Sequence, residues 1–225
     1  MTEYVGIDGC HDGWIAVFTD EYDVISIKVK EKLTGFDFNR SNPNSIILID
    51  MPIGLKNRPD AKLRKIMHGN KNSVFSFPKN LPDTEKEYRE NKDSITISAQ
   101  ADAIMHKIYE VKEFVAGKDV LQFWESHPEF CFELLKNREG LFPKKTGAGQ
   151  AERLLILKEY LGFAGIEQLL REARKRGEDA FNFDDLLDAA CLAVMAKMIG
   201  TKENLGKIKK SDDDCPFIAY AKNLM

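Results

Sequence analysis

The sequence predicts an α/β fold built on a mixed β-sheet. Three short apolar segments near the N-terminus are joined by short, turn-rich links, which indicates an antiparallel meander. Two later apolar runs each end in an acidic residue, which is typical of buried parallel strands. Other segments carry apolar residues at three- and four-residue steps, the spacing of a helical face. With 225 residues, 43% of them hydrophobic, we expect one domain over residues 1–225.

The predicted elements follow one another as three strands, a strand, a helix, a strand and then helices. Strands are predicted at residues 4–9, 13–18, 23–29, 46–50 and 119–125. Helices are predicted at residues 98–115, at 149–175 with breaks at Gly162 and Gly165, and from about Phe183 onward. Residues 215–220 are either a last strand or a tail. This order is not the repeated strand–helix–strand pattern of a dinucleotide-binding fold.

A long polar stretch, residues 53–97, separates the fourth strand from the first long helix. It contains prolines and little periodicity, so we expect an insertion or lid there. Between Lys56 and Lys71 it holds six basic residues against the single acid Asp60, and Arg64 is its candidate phosphate contact. A solvated basic helix face is the alternative explanation.

Acidic residues lie at the carboxyl ends of two of the predicted strands. Asp8 follows the apolar start of the chain, and Asp50 follows the four apolar residues 46–49. Ligands of parallel sheets bind at the carboxyl ends of the strands, so both aspartates are candidate catalytic and metal-binding residues. The alternative is that each aspartate only forms a turn.

Three more aspartates lie in a segment that otherwise has the pattern of a buried helix, residues 183–199. The alternative explanation is that Asn182 or Asp184 caps the helix and that Asp185 interacts with the helix dipole in the first turn. Asp188 lies beyond the free N–H groups of the first turn. An ionised carboxylate among apolar residues is costly unless a cation or hydrogen-bond donors compensate it. Asp185 and Asp188 are therefore candidate metal ligands, with Asp184 as a neighbour that contacts them.

Carboxylates that converge from separate parts of a chain suit hard divalent cations. Mg²⁺ and Mn²⁺ take oxygen ligands, and two such ions can clamp the attacking and leaving oxygens of a phosphodiester. We therefore expect two Mg²⁺ or Mn²⁺ ions held by Asp8, Asp50, Asp185 and Asp188. Glu125, at the end of the fifth predicted strand, is a further catalytic candidate.

The residues that follow this strand alternate in type. On a strand, Glu125, His127 and Glu129 would share one face, and a histidine with two carboxylates can ligate Zn²⁺ or Mn²⁺. Pro128 interrupts that strand, however. We therefore treat His127 and Glu129 as candidates that contact the metal ligands, with a proton shuttle or a structural histidine as the alternatives for His127.

Basic residues flank a glycine-rich loop that precedes a predicted helix. Lys144, Lys145 and Arg153 lie around residues 146–149. A helix N-terminus after such a loop can hold phosphate, so these three are candidate substrate-binding residues. The alternative is a flexible basic turn.

Composition and charge argue against several classes of protein. The four cysteines form no C-x-x-C pair, which argues against a zinc ribbon or a disulfide scaffold. The net charge is −3 and the pI is about 5.9, so an extended positive surface for sequence-indifferent nucleic-acid binding is not expected. No segment resembles a signal peptide or a membrane span, and we expect a cytoplasmic protein that does not bind membranes.

Seven short motifs occur together in this chain. They are GIDGCHDGWIAV near the start, IDMPIGL at 49–55, SVFSFP at 73–78, SAQADAIMHKIYEV at 98–111, ESHPEFCF at 125–132, KKTGAGQAERLLIL at 144–157 and DDLLDAACLA at 184–193. Through them the chain resembles the predicted ribonuclease H-like nucleases grouped as domain of unknown function 429. One departure from the family pattern is Asp12, where relatives often have a small residue or glycine.

This resemblance implies a ribonuclease H-like fold: a mixed five-stranded sheet flanked by helices, with an insertion after the fourth strand. It also implies metal-binding acids on the first strand, the fourth strand and a late helix. The matching positions are Asp8, Asp50 and Asp185 or Asp188, with Glu125 on the fifth strand as a further candidate. The helix motif is similar to that of Holliday-junction resolvases.

We therefore expect a metal-dependent nuclease that acts by two-metal hydrolysis on a structured or single-stranded nucleic acid. In this hypothesis Asp8 bridges the two ions and Asp50 and Asp188 complete their coordination. Asp185 or Glu125 positions water, and Lys145 or the basic stretch contacts phosphate.

Two other functions remain open at this point. One is a non-catalytic binding module with the same fold. The other is a nucleotide-binding phosphotransfer protein of the actin and sugar-kinase type, because residues 6–9 resemble the first phosphate loop of that superfamily. Its members use two such domains, for which 225 residues leave little room. The sequence leaves the substrate and the oligomeric state open.

Overall fold

The computed structural model describes residues 2–22, 25–38, 44–78, 81–116, 122–176, 181–200, 202–210 and 216–225. Its main strands are β1 (Tyr4–Cys10), β2 (Gly13–Thr19), β3 (Ser26–Lys30), β4 (Ile46–Ile49) and β5 (Phe123–Glu125). They form one sheet in the order β3-β2-β1-β4-β5. The first three pair antiparallel, and β4 lies parallel to both β1 and β5. The predicted mixed five-stranded sheet is therefore confirmed.

Helices cover both faces of this sheet. They are α1 (Asp60–Ile66), α2 (Glu85–Asn91), α3 (Ala99–Ala103), α4 (Met105–Ala116), α5 (Pro128–Leu135), α6 (Gly147–Arg176) and α7 (Phe183–Ile199). A second, two-stranded antiparallel sheet consists of β6 (Leu205–Lys209) and β7 (Phe217–Ala221). Among the helices of the described ranges, none combines the length and apolar composition needed to cross a membrane.

Alternation along the strands sends side chains to two separate cores. Ile46 and Leu48 of β4 pack in the core that contains residues of α5, α6 and α7. Ile47 and Ile49 pack in the core that contains residues of α4. Successive side chains of a strand point to opposite faces, so Asp50, two residues after Leu48, continues on the α7 face.

Strand β1 packs directly against α7 at Gly6. A methyl group added at Gly6 would overlap the carbonyl oxygen of Ala189 and the amide nitrogen of Ala193. Close approach of two backbones explains the glycine at this position. The contact also fixes the position of Asp8 relative to the acidic residues of the helix.

We expect Gly6→Ala to lower the free energy of unfolding by roughly 1–3 kcal/mol, because the added methyl group overpacks a rigid backbone contact. Denaturant unfolding followed by circular dichroism measures this. Gly140→Ala is the matched control, since a methyl group at Gly140 would meet no atom within 4 Å. Equal losses of stability in the two variants would contradict the close contact between β1 and α7.

Helix boundaries match the sequence prediction in part. Ser98 caps the helix that follows, because its hydroxyl accepts a hydrogen bond from the N–H of Ala101 at 3.2 Å. The helix predicted at 98–115 is divided at Ile104 into α3 and α4. Gly162 breaks α6 with φ of 67°, whereas Gly165 lies inside helix.

Several elements differ from the predictions or extend them. Residues 53–97 contain two seven-residue helices, α1 and α2, and their interpretation as an insertion or lid stays a prediction. Residues 217–221 form strand β7, so the end of the chain is more than a tail. The predicted third and fifth strands begin at residues 23–24 and 119–121, which lie outside the described residues.

Candidate active site

Three aspartates from separate elements face one another at one edge of the sheet. Asp8 lies near the end of β1, Asp50 directly follows β4, and Asp188 lies on α7. The N–H of Asp50 donates to the carbonyl oxygen of Ile7 at 2.9 Å, which continues the parallel pairing of the two strands. Parallel strands end at the same edge, and α7 packs over it, so the three side chains converge.

Burial raises the pKa of each of these three carboxyl groups. Burial is the largest cause for Asp8, whose pKa lies well above its usual range, and the charges of Asp50 and Asp188 raise it further. Burial and then Asp188 raise the pKa of Asp50 to about 8. Burial raises the pKa of Asp188 to about 6, although Lys144 opposes the shift. Three carboxylic acids that each resist ionisation therefore lie close enough to repel one another.

Lys144 supplies the positive charge that faces this cluster. Its Nζ lies 2.7 Å from Oδ2 of Asp188, and its charge lowers the pKa values of Asp8 and Asp50 as well. Burial alone would lower the pKa of Lys144, but the carboxylate of Asp188 outweighs this effect and raises it above its ordinary value. Oδ1 of Asp188 is buried and has no hydrogen-bond partner among the described residues.

The donor chemistry fits a hard divalent cation, although the ligands do not form a closed cage. Within the described ranges, no three His, Cys, Asp or Glu side chains make up a set that holds a metal ion as they stand. The fit rests instead on charge and on the unpartnered oxygen of Asp188. The three carboxylates repel one another and share one ammonium group, and carboxylate oxygens are ligands that Mg²⁺ and Mn²⁺ prefer. Asp8, Asp50 and Asp188 are the residues that would hold such an ion.

Asp185 has a capping role in this structure. Its Oδ2 accepts hydrogen bonds from the backbone N–H of Asn182 at 3.2 Å and from Nδ2 of Asn182 at 3.1 Å. Asn182 is the N-cap, as one of the alternatives had it, and Asp185 takes part in a capping box in addition to the expected interaction with the helix dipole. The charge of Asp185 nevertheless contributes to the raised pKa of Asp8, so Asp185 is within electrostatic reach of the cluster. Asp184 is half-buried beside it, and its charge raises the pKa of Asp185 after burial has done so.

Glu125 lines the same cavity as Asp8 and Asp50, and its charge contributes to the raised pKa of Asp50, but its carboxylate is engaged in an ion pair. It pairs in register with Ile49, whose side chain packs on the α4 face, whereas Asp50 continues the α7 face. Its Oε1 lies 2.6 Å from Nη2 of Arg58, and its Oε2 accepts from Nη1 of Arg58 at 3.0 Å and from the N–H of Ile53 at 2.8 Å. Both oxygens are therefore engaged by protein donors, and the proposed role of Glu125 in positioning water stays a prediction.

We expect Glu125→Gln to destabilise the protein by ~2 kcal/mol, because Arg58 loses one of its two buried carboxylate partners while Asp60 remains. Chemical unfolding measures this effect. Asp83→Asn removes an exposed carboxylate that pairs with Lys56 and Lys112, and its expected cost is much smaller, because solvent screens exposed pairs. An unchanged stability combined with loss of metal binding in Glu125→Gln would instead assign Glu125 to the metal site.

The expectation that Glu125, His127 and Glu129 share one face of a strand is wrong. Strand β5 ends at Glu125, and helix α5 begins at Pro128. His127 is the N-cap of α5, and its Nδ1 accepts from the N–H of Phe130 at 3.4 Å. Pro128 at the first helical position explains this change of structure, because proline is compatible with a helix start and lacks the N–H of a strand ladder.

The structure also corrects the assignment of Arg153, which pairs with Glu129 in the interior. Arg153 is 0% exposed, and its Nη2 lies 2.7 Å from Oε2 of Glu129. Its Nη1 donates to the carbonyl oxygens of Phe142 and Gly149, both at 3.0 Å. Arg153 therefore cannot reach a substrate in this conformation, and it fixes the loop that carries Lys144. The carboxylate of Glu129 is engaged in this buried ion pair. Its charge also contributes to the raised pKa values of Asp50 and Asp188.

Two cavities adjoin the cluster, and a third adjoins the first of these two. The first, the aromatic cavity, has a volume of about 370 Å³ and is lined by residues that include Asp8, Asp50, Phe75, Phe77 and His127. The second, the polar cavity, has about 470 Å³ and is lined by residues that include Asp50, Asn72, Gln100, Lys144, Lys145 and Asp188. The third, the basic groove, has about 470 Å³ and is lined by residues that include Lys56, Arg58, Arg64 and Lys210.

The candidate phosphate contacts fall in different cavities. Lys145 is exposed and lines the polar cavity next to Asp188, together with Lys144. Arg64 donates to the carbonyl oxygen of Val74 and lines the basic groove. His127 lines both the aromatic and the polar cavity, and burial lowers its pKa to about 4. It is therefore a neutral imidazole at neutral pH, with one donor and one acceptor nitrogen.

Sequence reasoning missed Lys107, which lies beneath the turn between β1 and β2. Its Nζ donates to the carbonyl oxygens of Cys10 and Gly13 at 2.6 and 2.5 Å and lies 5.1 Å from the ring of Trp14. These contacts hold the strand that carries Asp8. The sequence contained a signal for a buried lysine at this position. Lys107 is three residues after Ile104 and therefore lies on the apolar side of its helix.

The fold and the site together define an α/β protein with a carboxylate cluster at the edge of a mixed sheet, consistent with a ribonuclease H-like fold. A family model described as "Protein of unknown function (DUF429)" matches residues 6–211. The chain belongs to this family, as the motifs predicted. No significant match was found among curated proteins or among solved structures.

Proposed function

We propose that this protein is a metal-dependent nuclease of the ribonuclease H-like type, with its active site at Asp8, Asp50 and Asp188. The observation that carries the proposal is the convergence of these three acids, each with a raised pKa, from two parallel strand ends and a helix. Protein folds rarely retain mutually repelling buried carboxyl groups without a functional reason, and perturbed pKa values cluster at functional sites.

Mg²⁺ or Mn²⁺ would be held by Asp8, Asp50 and Asp188, with Asp185 near them. Bound ions of this kind supply Lewis acidity and lower the pKa of bound water, and two of them suit phosphodiester hydrolysis. Negatively charged substrate would be positioned by Lys145, which is exposed beside Asp188 in the polar cavity. Lys144 would exchange its carboxylate partner for a phosphate oxygen when cations neutralise the cluster.

The neighbouring side chains support a polar, phosphate-containing substrate. Asn70, Asn72 and Gln100 line the polar cavity and offer amide donors to phosphate or sugar oxygens. His127 lies between the polar and aromatic cavities as a neutral hydrogen-bonding group. These features favour nucleic acid over a substrate without phosphate.

A cleavage assay tests this function. Purified protein is incubated with branched, single-stranded and RNA–DNA hybrid substrates in Mg²⁺, in Mn²⁺ and in chelator. We expect cleavage of at least one substrate with a divalent cation and none in chelator. Undiminished cleavage in chelator would contradict the proposal. Binding without cleavage under every condition would favour a non-catalytic module, and heat released on titration with ATP and Mg²⁺ would favour a phosphotransfer protein.

A further inference from the structure

The aromatic cavity combines apolar walls with charged side chains, and it adjoins the proposed phosphate site. Its charged lining includes Asp8, Asp50, Glu125, Arg58 and Lys107. Met51, Val74, Phe75, Phe77 and Ile104 supply apolar surface. A ligand that fills it would place a flat or apolar group against these residues and a charged group near the aspartates.

Two phenylalanine rings lie where this cavity adjoins its neighbours. Phe75 lines both the aromatic and the polar cavity, and Phe77 lines both the aromatic cavity and the basic groove. The two ring centroids are 6.4 Å apart and the ring planes are inclined at 67°. Both side chains are only half-buried, so ring surface is left for a ligand. The guanidinium of Arg58 lies over Phe77, 5.6 Å from its centroid.

Basic residues lie beyond each ring. On the side of Phe75 the polar cavity holds Lys144 and Lys145. On the side of Phe77 the basic groove holds Lys56, Arg64 and Lys210. A ligand with several phosphate groups that extends from one basic region to the other would pass the aromatic cavity. The part of the ligand between two of its phosphates would then contact the two rings.

We propose that the aromatic cavity binds one unpaired nucleobase of a single-stranded nucleic acid, which stacks on one of the rings of Phe75 and Phe77 and meets the edge of the other. This inference rests on the proposed function and names the substrate class of the same site. Bases have a flat π-face that stacks on aromatic side chains, and backbones follow basic grooves. A cavity of about 370 Å³ is within the range of small-ligand pockets and admits one base rather than a stacked pair of strands.

A base within a duplex cannot enter such a cavity unless it leaves the stack, which costs several kcal/mol. The site therefore selects single strands, or an unpaired position in a longer substrate. An apolar peptide side chain would fit the walls equally well, but it has no use for the cations on both sides and the acids in the lining. The charge pattern therefore favours a nucleotide over a peptide.

Binding of a defined probe tests this inference independently of cleavage. The probes are a short thymidine oligonucleotide with one central 2-aminopurine and the same strand annealed to its complement. Both are titrated with the full chain in Ca²⁺, and affinity is measured by anisotropy and base environment by 2-aminopurine fluorescence. We expect the single strand to bind at least tenfold more tightly than the duplex and its fluorescence to change on binding.

Substitutions at the rings locate the base. Phe77→Ala and Phe75→Ala are each expected to weaken single-strand binding roughly 5- to 150-fold, the effect of losing one stacking contact. Phe77→Leu keeps apolar volume without a flat ring, and we expect it to lose most of the same affinity, which a purely structural role for Phe77 would not require. Phe163→Ala is the control, because Phe163 is 71% exposed on α6 and lines none of the three cavities. Melting curves verify that each variant is folded.

The outcomes separate this inference from the proposed function. Folded Phe75→Ala and Phe77→Ala proteins that bind the single strand like wild type would overturn the base site, even if the wild type cleaves nucleic acid. Equal affinity for duplex and single strand, or no binding of either, would overturn it as well. Ring-dependent binding in a protein that cleaves nothing with Mg²⁺ or Mn²⁺ would support the base site and contradict the nuclease.

Discussion

Asp8→Asn is expected to lower the rate of cation-dependent cleavage at least about 100-fold. Asparagine keeps the size of the side chain but removes the charge that would hold a divalent cation between β1 and α7. A bound cation stabilises transition-state charge by several kcal/mol, and each 1.36 kcal/mol corresponds to a factor of ten in rate. Initial rates on the best substrate of the panel, at saturating Mn²⁺, measure the loss.

Asp12→Asn provides the matched control. Asp12 lies in the turn that follows β1, its side chain is 79% exposed, and it pairs with His11 rather than with the cluster. The same chemical change there should leave the rate close to that of the wild type. Equal rates in the wild type and Asp8→Asn would exclude this cluster as the active site. Equal losses in both variants would show that the rate responds to charge near the turn rather than to a metal ligand.

The strands and helix that carry the three aspartates could be predicted from sequence because their signals are local. Strands β1 and β4 are continuous apolar runs, and α7 has apolar residues at helical steps over its whole length. Strand ends of a parallel pair meet at one edge, so Asp8 and Asp50 could be placed together without any knowledge of contacts. Asp188 followed from its position beyond the first turn of a buried helix.

Glu125 could not be placed in the same way, because the apolar pattern of the strand before it does not show which side chains lie on which face of the sheet. Phe123 packs in the core of the α4 face and Trp124 against the core of the α7 face. A strand that is apolar on both faces does not reveal which face its last residue takes, since side chains alternate with a period of two. Only the register with β4 shows that Glu125 lies level with Ile49, one residue before Asp50.

Long-range ion pairs explain the remaining differences. Arg153 was interpreted as a phosphate contact because it follows a glycine-rich loop, but Glu129, 24 positions earlier, binds it in the interior. Arg58 belongs to a stretch that suggests a basic surface, yet its side chain is only 7% exposed between Glu125 and Asp60. A charge run alone does not distinguish a surface cation from one that neutralises a buried acid.

The metal-free protein is expected to lose stability as the pH rises from about 4 to about 8. The folded-state pKa values of Asp50 and Asp188, about 8 and about 6, lie above the ordinary value of an aspartate. A raised pKa means that the folded state favours the protonated form. The resulting stabilisation is fully present below pH 4 and is lost as the pH rises through the folded-state pKa. Chemical unfolding in chelator at a series of pH values measures this decline.

Asp50→Asn should remove much of this pH dependence and make the metal-free protein more stable than wild type at pH 8. One pKa unit corresponds to about 1.4 kcal/mol, so Asp50 alone accounts for several kcal/mol between pH 4 and 8. Asp50 is a better choice than Asp188 for this test, because Asp188→Asn would also remove the carboxylate that pairs with Lys144 at 2.7 Å. Asp12→Asn, with the same change of charge at an exposed position, should keep the wild-type profile.

Mn²⁺ should reverse the difference between the two proteins. A cation that binds only the folded state stabilises it by mass action, and it relieves the repulsion among Asp8, Asp50 and Asp188 in the wild type. At pH 8 the melting temperature of the wild type should therefore rise with Mn²⁺ concentration, and that of Asp50→Asn should rise much less. If the wild-type stability in chelator does not decline between pH 4 and 8, or if Asp50→Asn gains as much from Mn²⁺ as wild type, the three aspartates form a structural cluster and not a metal site.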